Sequence, residues 1–228
     1  MTVLYGYLFG WTGSFASPTA EETPRDFDRA MMSVGDIEPV SDSRVRIGPR
    51  WSIYHLRTLK RLHGTEQNIL YADAPYSYMF YTRVSEITGT IVLASERYAV
   101  TDEVVRLFNR VVRPALHRQR VNVKRLADIL LDRAKRHTFA VTYVLADVPG
   151  FGAALSSLSL HGDDIAAAEF KLPGGLALTA RQIGVRSSKR RVECGRIANI
   201  GSVQFKTDMA ADFELFLALV RKAELIRG

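Results

Sequence analysis

The sequence predicts an α+β fold in which mostly antiparallel sheet flanks a central helix pair, with a C-terminal helix packed on the sheet. Three observations predict it. Between Thr101 and His137 apolar residues recur at three- and four-residue steps in two runs separated by Pro114, and they do so again after Asp208. Stretches on either side alternate with period two and are rich in β-branched and aromatic residues. Thr88-Gly89 supplies a turn that would join two of those stretches as an antiparallel hairpin. The 228 residues are read as one compact domain, at most two-lobed, with a strand-rich lobe over 1–100 and the helix pair, further strands and C-terminal helix over 101–228.

The elements follow in order. Thr2–Trp11 is β-prone, with Gly6 and Gly10 permitting close backbone approach. Residues 12–24 form a loop, and the acidic 21–42 stretch reads chiefly as a variable polar excursion, a short helix near Arg25–Ser33 being the alternative. Strands are expected over Ile69–Ala72, Tyr76–Val84 and Thr90–Ala94. The first long helix is expected to start at Thr101 as N-cap, with Asp102 and Glu103 in its first turn and Val104, Leu107, Phe108, Val111 and Ala115 on its apolar face. Pro114 kinks or ends it, because proline lacks the N–H and disfavours helix at the residue before it. Asn122 caps the second helix, whose stripe is Val123, Leu126, Ala127, Leu130 and Ala134.

Phe139–Val148 reads as a buried strand, Leu158 and Leu160 belong to a half-buried one, and Leu176–Ile183 to another. Ser187, Ser188 and Lys189 look like a hairpin tip. Phe213, Phe216, Leu217 and Val220 form the apolar face of the terminal helix, with Asp208 as cap.

Charge is strongly segregated. Arg44, Arg46, Arg50, Arg57, Lys60 and Arg61 stand with no acid among them, a local +6. From Arg106 to Arg136 ten Lys or Arg face two acids, a local +8 that includes Arg106, Arg110 and Arg113. Arg181, Arg186, Lys189, Arg190, Arg191 and Arg196 against Glu193 give +5. The chain totals only +7, so everything outside these three blocks sums to −12, and seven of its acids crowd into residues 21–42. Arginine's planar fork suits phosphate; Trp51 and Tyr54 inside the first block are read first as core residues, as large aromatics mostly are, and otherwise as rings on which bases would stack for about 1–3 kcal/mol each.

The composition excludes several classes. With 47% hydrophobic and 24% charged residues the chain carries enough material for a core and is not a disordered polyelectrolyte. No run of eighteen apolar residues occurs, so no membrane partner is expected, and the lone Cys194 suits a reducing cytoplasm. His55, His63, His117, His137 and His161 have no metal-ligand spacing, and the loop Pro149, Gly150, Phe151, Gly152 lacks the third glycine of a dinucleotide loop and the lysine of a phosphate loop.

These readings converge on a non-enzymatic nucleic-acid-binding or accessory protein that needs no cofactor. It would hold DNA or RNA backbones with Arg44, Arg46, Arg50, Arg57, Lys60, Arg61, Arg106, Arg110, Arg113, Arg186, Lys189, Arg190 and Arg191. One alternative is a Mg²⁺-dependent nuclease with a degenerate D…ExK site, in which Asp163, Asp164 and Glu169 hold the metal and Lys171 assists the attacking water. Another is an interaction subunit of a cytoplasmic complex, its basic faces meeting the acidic 21–42 segment of a second copy or of a partner protein.

Overall fold

The computed structural model describes residues 2–12, 29–39, 51–56, 77–83, 88–131, 138–148, 157–165, 179–189, 192–223 and 225–227. The chain forms two compact units, one of Leu4–Arg118 and one of Gln119–Gly228 with Met1–Val3. Strand outweighs helix among the described residues.

The first unit contains β1 (Val3–Thr12), β2 (Ile37–Pro39), β3 (Trp51–Leu56), β4 (Ser77–Arg83), β5 (Thr88–Ser95) and α1 (Tyr98–Val111). Its strands run in the order β2-β3-β4-β5-β1, each pairing antiparallel. Period two puts Tyr5, Tyr7, Phe9 and Trp11 of β1 on one side, where Phe9 and Trp11 join Ile91 and Leu93 of β5 and Val100, Val104 and Phe108 of α1 in one core. Met31 and Val34, from the helical residues 29–32 and the turn after them, complete it. Each of these large buried side chains contributes about 1.5–3 kcal/mol relative to exposure.

Helix α1 starts one turn earlier than the sequence suggests. Arg97, in extended conformation, holds the cap position, and no acid lies in the first turn. The Tyr98 ring lies 5.5 Å from that of Tyr5 and 5.0 Å from that of Tyr7, so aromatic packing rather than a cap anchors this end. Thr101 is therefore inside the helix and buried, with its hydroxyl 3.4 Å from the Tyr5 carbonyl oxygen. At the other end the helix stops before the cis Arg113–Pro114 peptide. The Asn109 amide then donates to the Leu116 carbonyl at 2.8 Å and its oxygen accepts from the Leu116 N–H at 2.7 Å. That clamp directs the chain into β6 (His117–Val121), which pairs with β1 at Phe9↔Arg118 and Gly10↔His117.

The second unit holds α2 (Val123–Leu131), β7 (Phe139–Asp147), β8 (Ser157–His161), β9 (Thr179–Ser187), β10 (Glu193–Ala198), β11 (Ser202–Lys206), a 3-10 turn at Thr207–Met209, α3 (Ala210–Lys222) and β12 (Leu225–Arg227). Its sheet runs β11-β10-β9-β7-β8, antiparallel between neighbours, and β12 pairs with the end of β6. Asn122 caps α2 as expected, accepting the Arg125 N–H at 3.0 Å. Between β10 and β11 the Gly201 N–H bonds back to the Ala198 carbonyl at 2.9 Å, and Gly201 takes φ 77°, a left-handed value that glycine adopts without strain.

Alternation along this sheet sorts its two faces. Val141, Ile183, Val185, Ile197, Val203 and Phe205 are buried on the face that meets the helices, α2 packing against β7 and β9 and α3 against β10 and β11. The expected apolar face of α3 is borne out: Phe213, Phe216, Leu217 and Val220 are all buried. Phe213 stacks on Phe205 at 4.5 Å and lies over Gly195, where an added Cβ would come within 2.5 Å of its ring.

The expected central helix pair flanked by sheets is not what forms. The two helices belong to different units, and the polar connector between them contains strand β6, so each unit is an antiparallel sheet carrying its own helix or helices. Arg118 and Arg120 gave that connector a loop-like composition, yet its pairing uses backbone groups that every residue except proline supplies. No helix among the described residues is long and apolar enough to cross a membrane. Phe213→Ala should cost about 3–5 kcal/mol in urea unfolding. Leu215→Ala, on the outer side of the same helix at 62% exposure, should change stability by less than about 0.5 kcal/mol.

Candidate nucleic-acid interface

The buried stripe of α1 is Val100, Thr101, Val104 and Phe108, which leaves Arg106 and Arg110 on the exposed side at a step of four, while Arg113, expected on the same face, lies exposed beyond the helix end at Val111 and its extended C-cap Val112. Their surroundings differ. Arg106 is paired with Glu103, three residues earlier, and that hydrogen bond pushes the guanidinium pKa further up. Arg113 turns back on the end of its own helix and donates to the Asn109 and Val112 carbonyls, satisfying acceptors the last turn leaves over. Arg110 makes no ion pair or hydrogen bond among the described residues. Of the predicted three, Arg110 alone is exposed and without such a partner among the described residues.

Of the phosphate contacts expected from the third basic block, Arg186 and Lys189 are described, Lys189 exposed in the turn after β9. Arg186 donates to the Asp163 backbone oxygen at 3.0 Å, which joins β9 to the turn following β8. Asp163 and Asp164 lie in that turn, while Glu169 and Lys171 fall outside the described residues. So do Arg44, Arg46, Arg50, Arg57, Lys60, Arg61, Arg190, Arg191 and the 149–152 loop. Among the described residues no three His, Cys, Asp or Glu gather where a metal ion would be held.

The most organised polar constellation was not singled out by the sequence. Register aligns His161 (β8), Tyr143 (β7), Gly184 (β9), Arg196 (β10) and Gln204 (β11) in one row across the sheet of the second unit, on the face away from α2 and α3. The Arg196 guanidinium reaches across β9 and lies over the Tyr143 ring, 4.1 Å from its centroid. Gly184 makes that reach feasible: an added Cβ would sit 2.9 Å from Tyr143 Cβ, 3.0 Å from a Glu193 oxygen and 3.1 Å from Arg196 Cγ.

Two irregularities complete the row. The β7–β9 register shifts between Val141 and Tyr143 and the β10–β9 register between Glu193 and Gly195, leaving Thr142 and Cys194 as extra residues. Glu193 accepts from Arg196 Nε at 2.6 Å and from the Thr142 hydroxyl at 3.1 Å, so the guanidinium is held by a carboxylate at its edge and a ring beneath. His161 adds its imidazole 4.8 Å from the Tyr143 ring on the other side. The sequence signals were a glycine inside a strand and a Glu-x-x-Arg spacing, neither of which names its partner.

A second arginine is held the same way in the first unit. Arg118 lies over Tyr7 at 3.8 Å from the centroid and bonds Asp102 at 2.6 Å. Cys194 is by contrast out of reach: its thiol donates to the Val185 carbonyl at 3.3 Å, and burial, assisted by the Asp212 carboxylate, pushes its pKa from 9.0 up to about 12. No protein-family model matches the chain, and no characterised protein is significantly similar to it in sequence.

Two predictions follow from this geometry. Gly184→Val should destabilise the fold by about 1–3 kcal/mol in urea unfolding, since the new side chain overpacks the Tyr143–Arg196 contact. Because the folded pKa of Cys194 lies above the unfolded one, its thiol contributes stability that is complete below pH 9.0 and lost as the pH rises towards about 12. Cys194→Ala should flatten the melting-temperature profile in that window, and the native wild-type thiol should resist a disulfide reagent that labels it readily in urea.

Proposed function

We propose that this protein binds nucleic acid through the phosphate backbone, as a non-catalytic binding or accessory protein of the cytoplasm. The observation that carries the reading is the exposed side of α1, where Arg106 and Arg110 lie one turn apart away from the buried stripe, with Arg113 exposed just past the helix end, in a chain of net charge +7. Arg110 is its leading contact, because among the described residues no carboxylate or carbonyl stands to be displaced by a phosphate reaching it. Arg106 and Arg113 add charge at longer range. The basic residues of 44–61 and the 186–191 tip extend the same chemistry. Backbone contacts carry no base information, so the binding is indifferent to sequence.

Fluorescence anisotropy with short labelled oligonucleotides across a salt series tests the reading. Log affinity should fall linearly with log salt, by about 0.9 for each phosphate neutralised on duplex DNA. Arg110→Gln should weaken binding to all sequences alike and reduce that slope by about one contact. Arg113→Gln should add a stability loss of about 0.5–1.5 kcal/mol through its lost bonds to the helix end. Absence of binding at low salt by the folded protein overturns the reading.

A further inference from the structure

We infer that the exposed face of the second unit's sheet takes single-stranded nucleic acid, its bases stacking on His161 and Arg196. This rests on the nucleic-acid reading above and names the strand form and the place. Tyr143 is only 8% exposed and so is the support rather than the contact surface. It holds a planar group on each side, the Arg196 guanidinium over its ring and the tilted His161 imidazole. His161 is exposed, and the Arg196 side chain keeps 29% of its surface open even with Glu193 on its edge.

Unpaired bases stack on histidine and on guanidinium planes as well as on larger aromatics, and such stacking tolerates any base. Both groups are already positioned, by Tyr143 below and by Glu193 alongside, so little side-chain freedom is lost on binding. Charge on this face suits a strand of phosphates. The pleat that exposes Arg196 and Gln204 puts Lys206 and Arg186 on the same side, where both are half-exposed. A duplex hides the faces of its bases, so it finds only the cations.

The test compares a short oligothymidylate, an abasic oligonucleotide of equal length and a duplex of equal length, by anisotropy, on proteins whose folding is checked by circular dichroism. His161→Ala, and Arg196→Lys, which keeps the charge but loses the plane, should each weaken oligothymidylate binding by about tenfold. The salt slope of oligothymidylate binding should hold for Arg196→Lys, and abasic and duplex binding should be unchanged for both variants. His161→Phe should restore the lost affinity, since a ring returns without the imidazole. If the wild-type protein binds oligothymidylate and both His161→Ala and Arg196→Lys bind it equally well, the sheet-face inference is overturned while backbone binding stands. If the wild-type protein binds none of the three probes, both readings fall together.

Discussion

The period-two alternation of β9, β10 and β11 is the constraint on which the second unit depends. Ile183, Val185, Ile197, Val203 and Phe205 must all face the helices, and a slip of one residue in any of these strands would turn its set towards solvent. That requirement also determines the opposite face. Once Ile183 and Val185 are buried, Gln182, Gly184 and Arg186 have nowhere else to point. The two bulges then modify the pattern where polar chemistry gathers. By leaving Thr142 and Cys194 as extra residues they bring the Thr142 hydroxyl and Glu193 carboxylate together, while Val141 and Val144, paired with Val185 and Ile183, both stay on the buried face despite the shift in phase.

Much of this was legible locally. The stripes of α2 and α3, the Asn122 cap, and strands β1, β5, β7 and β8 follow from spacing and composition, because their burial pattern is written in adjacent residues. What was missed depends on partners distant in sequence. β6 reads as a charged connector, and only its pairing with β1 and β12 makes it a strand. β3 was absorbed into a basic block, although Trp51, Ile53 and Tyr54 are buried and pair with β4. Thr101 carried a good capping signal, but Tyr98 gains more by packing on Tyr5 and Tyr7 than the chain gains by starting its helix later. The helices do not form a central pair because strand β6 lies between them in the chain.

The candidate site divides along the same line. Which residues are cationic, and that Arg106 and Arg110 avoid the apolar stripe of α1, is readable from the chain. How each charge is used is not. Arg113 bonding the end of its own helix depends on where that helix stops, and Arg196 meets a tyrosine from a strand two places away in the sheet. Gly184 came nearest to a signal. A glycine in a strand marks close approach, without saying of what.

Net charge is accordingly a poor measure of what a polyanion would meet. Arg106, Arg118, Arg181 and Arg196 each have a carboxylate at their guanidinium, in Glu103, Asp102, Asp147 and Glu193. Partly exposed pairs of this kind add only about 0–1 kcal/mol to stability, so their larger effect is on orientation and on how much charge is left to offer. Arg118 and Arg196 go further, each fixed between a carboxylate and a tyrosine ring. A phosphate approaching such a group competes with a carboxylate already in place, whereas a base stacking on the guanidinium's outer face leaves the ion pair intact. Arginines held this way are therefore better suited to stacking than to charge neutralisation, and Arg110, with no partner among the described residues, to the reverse.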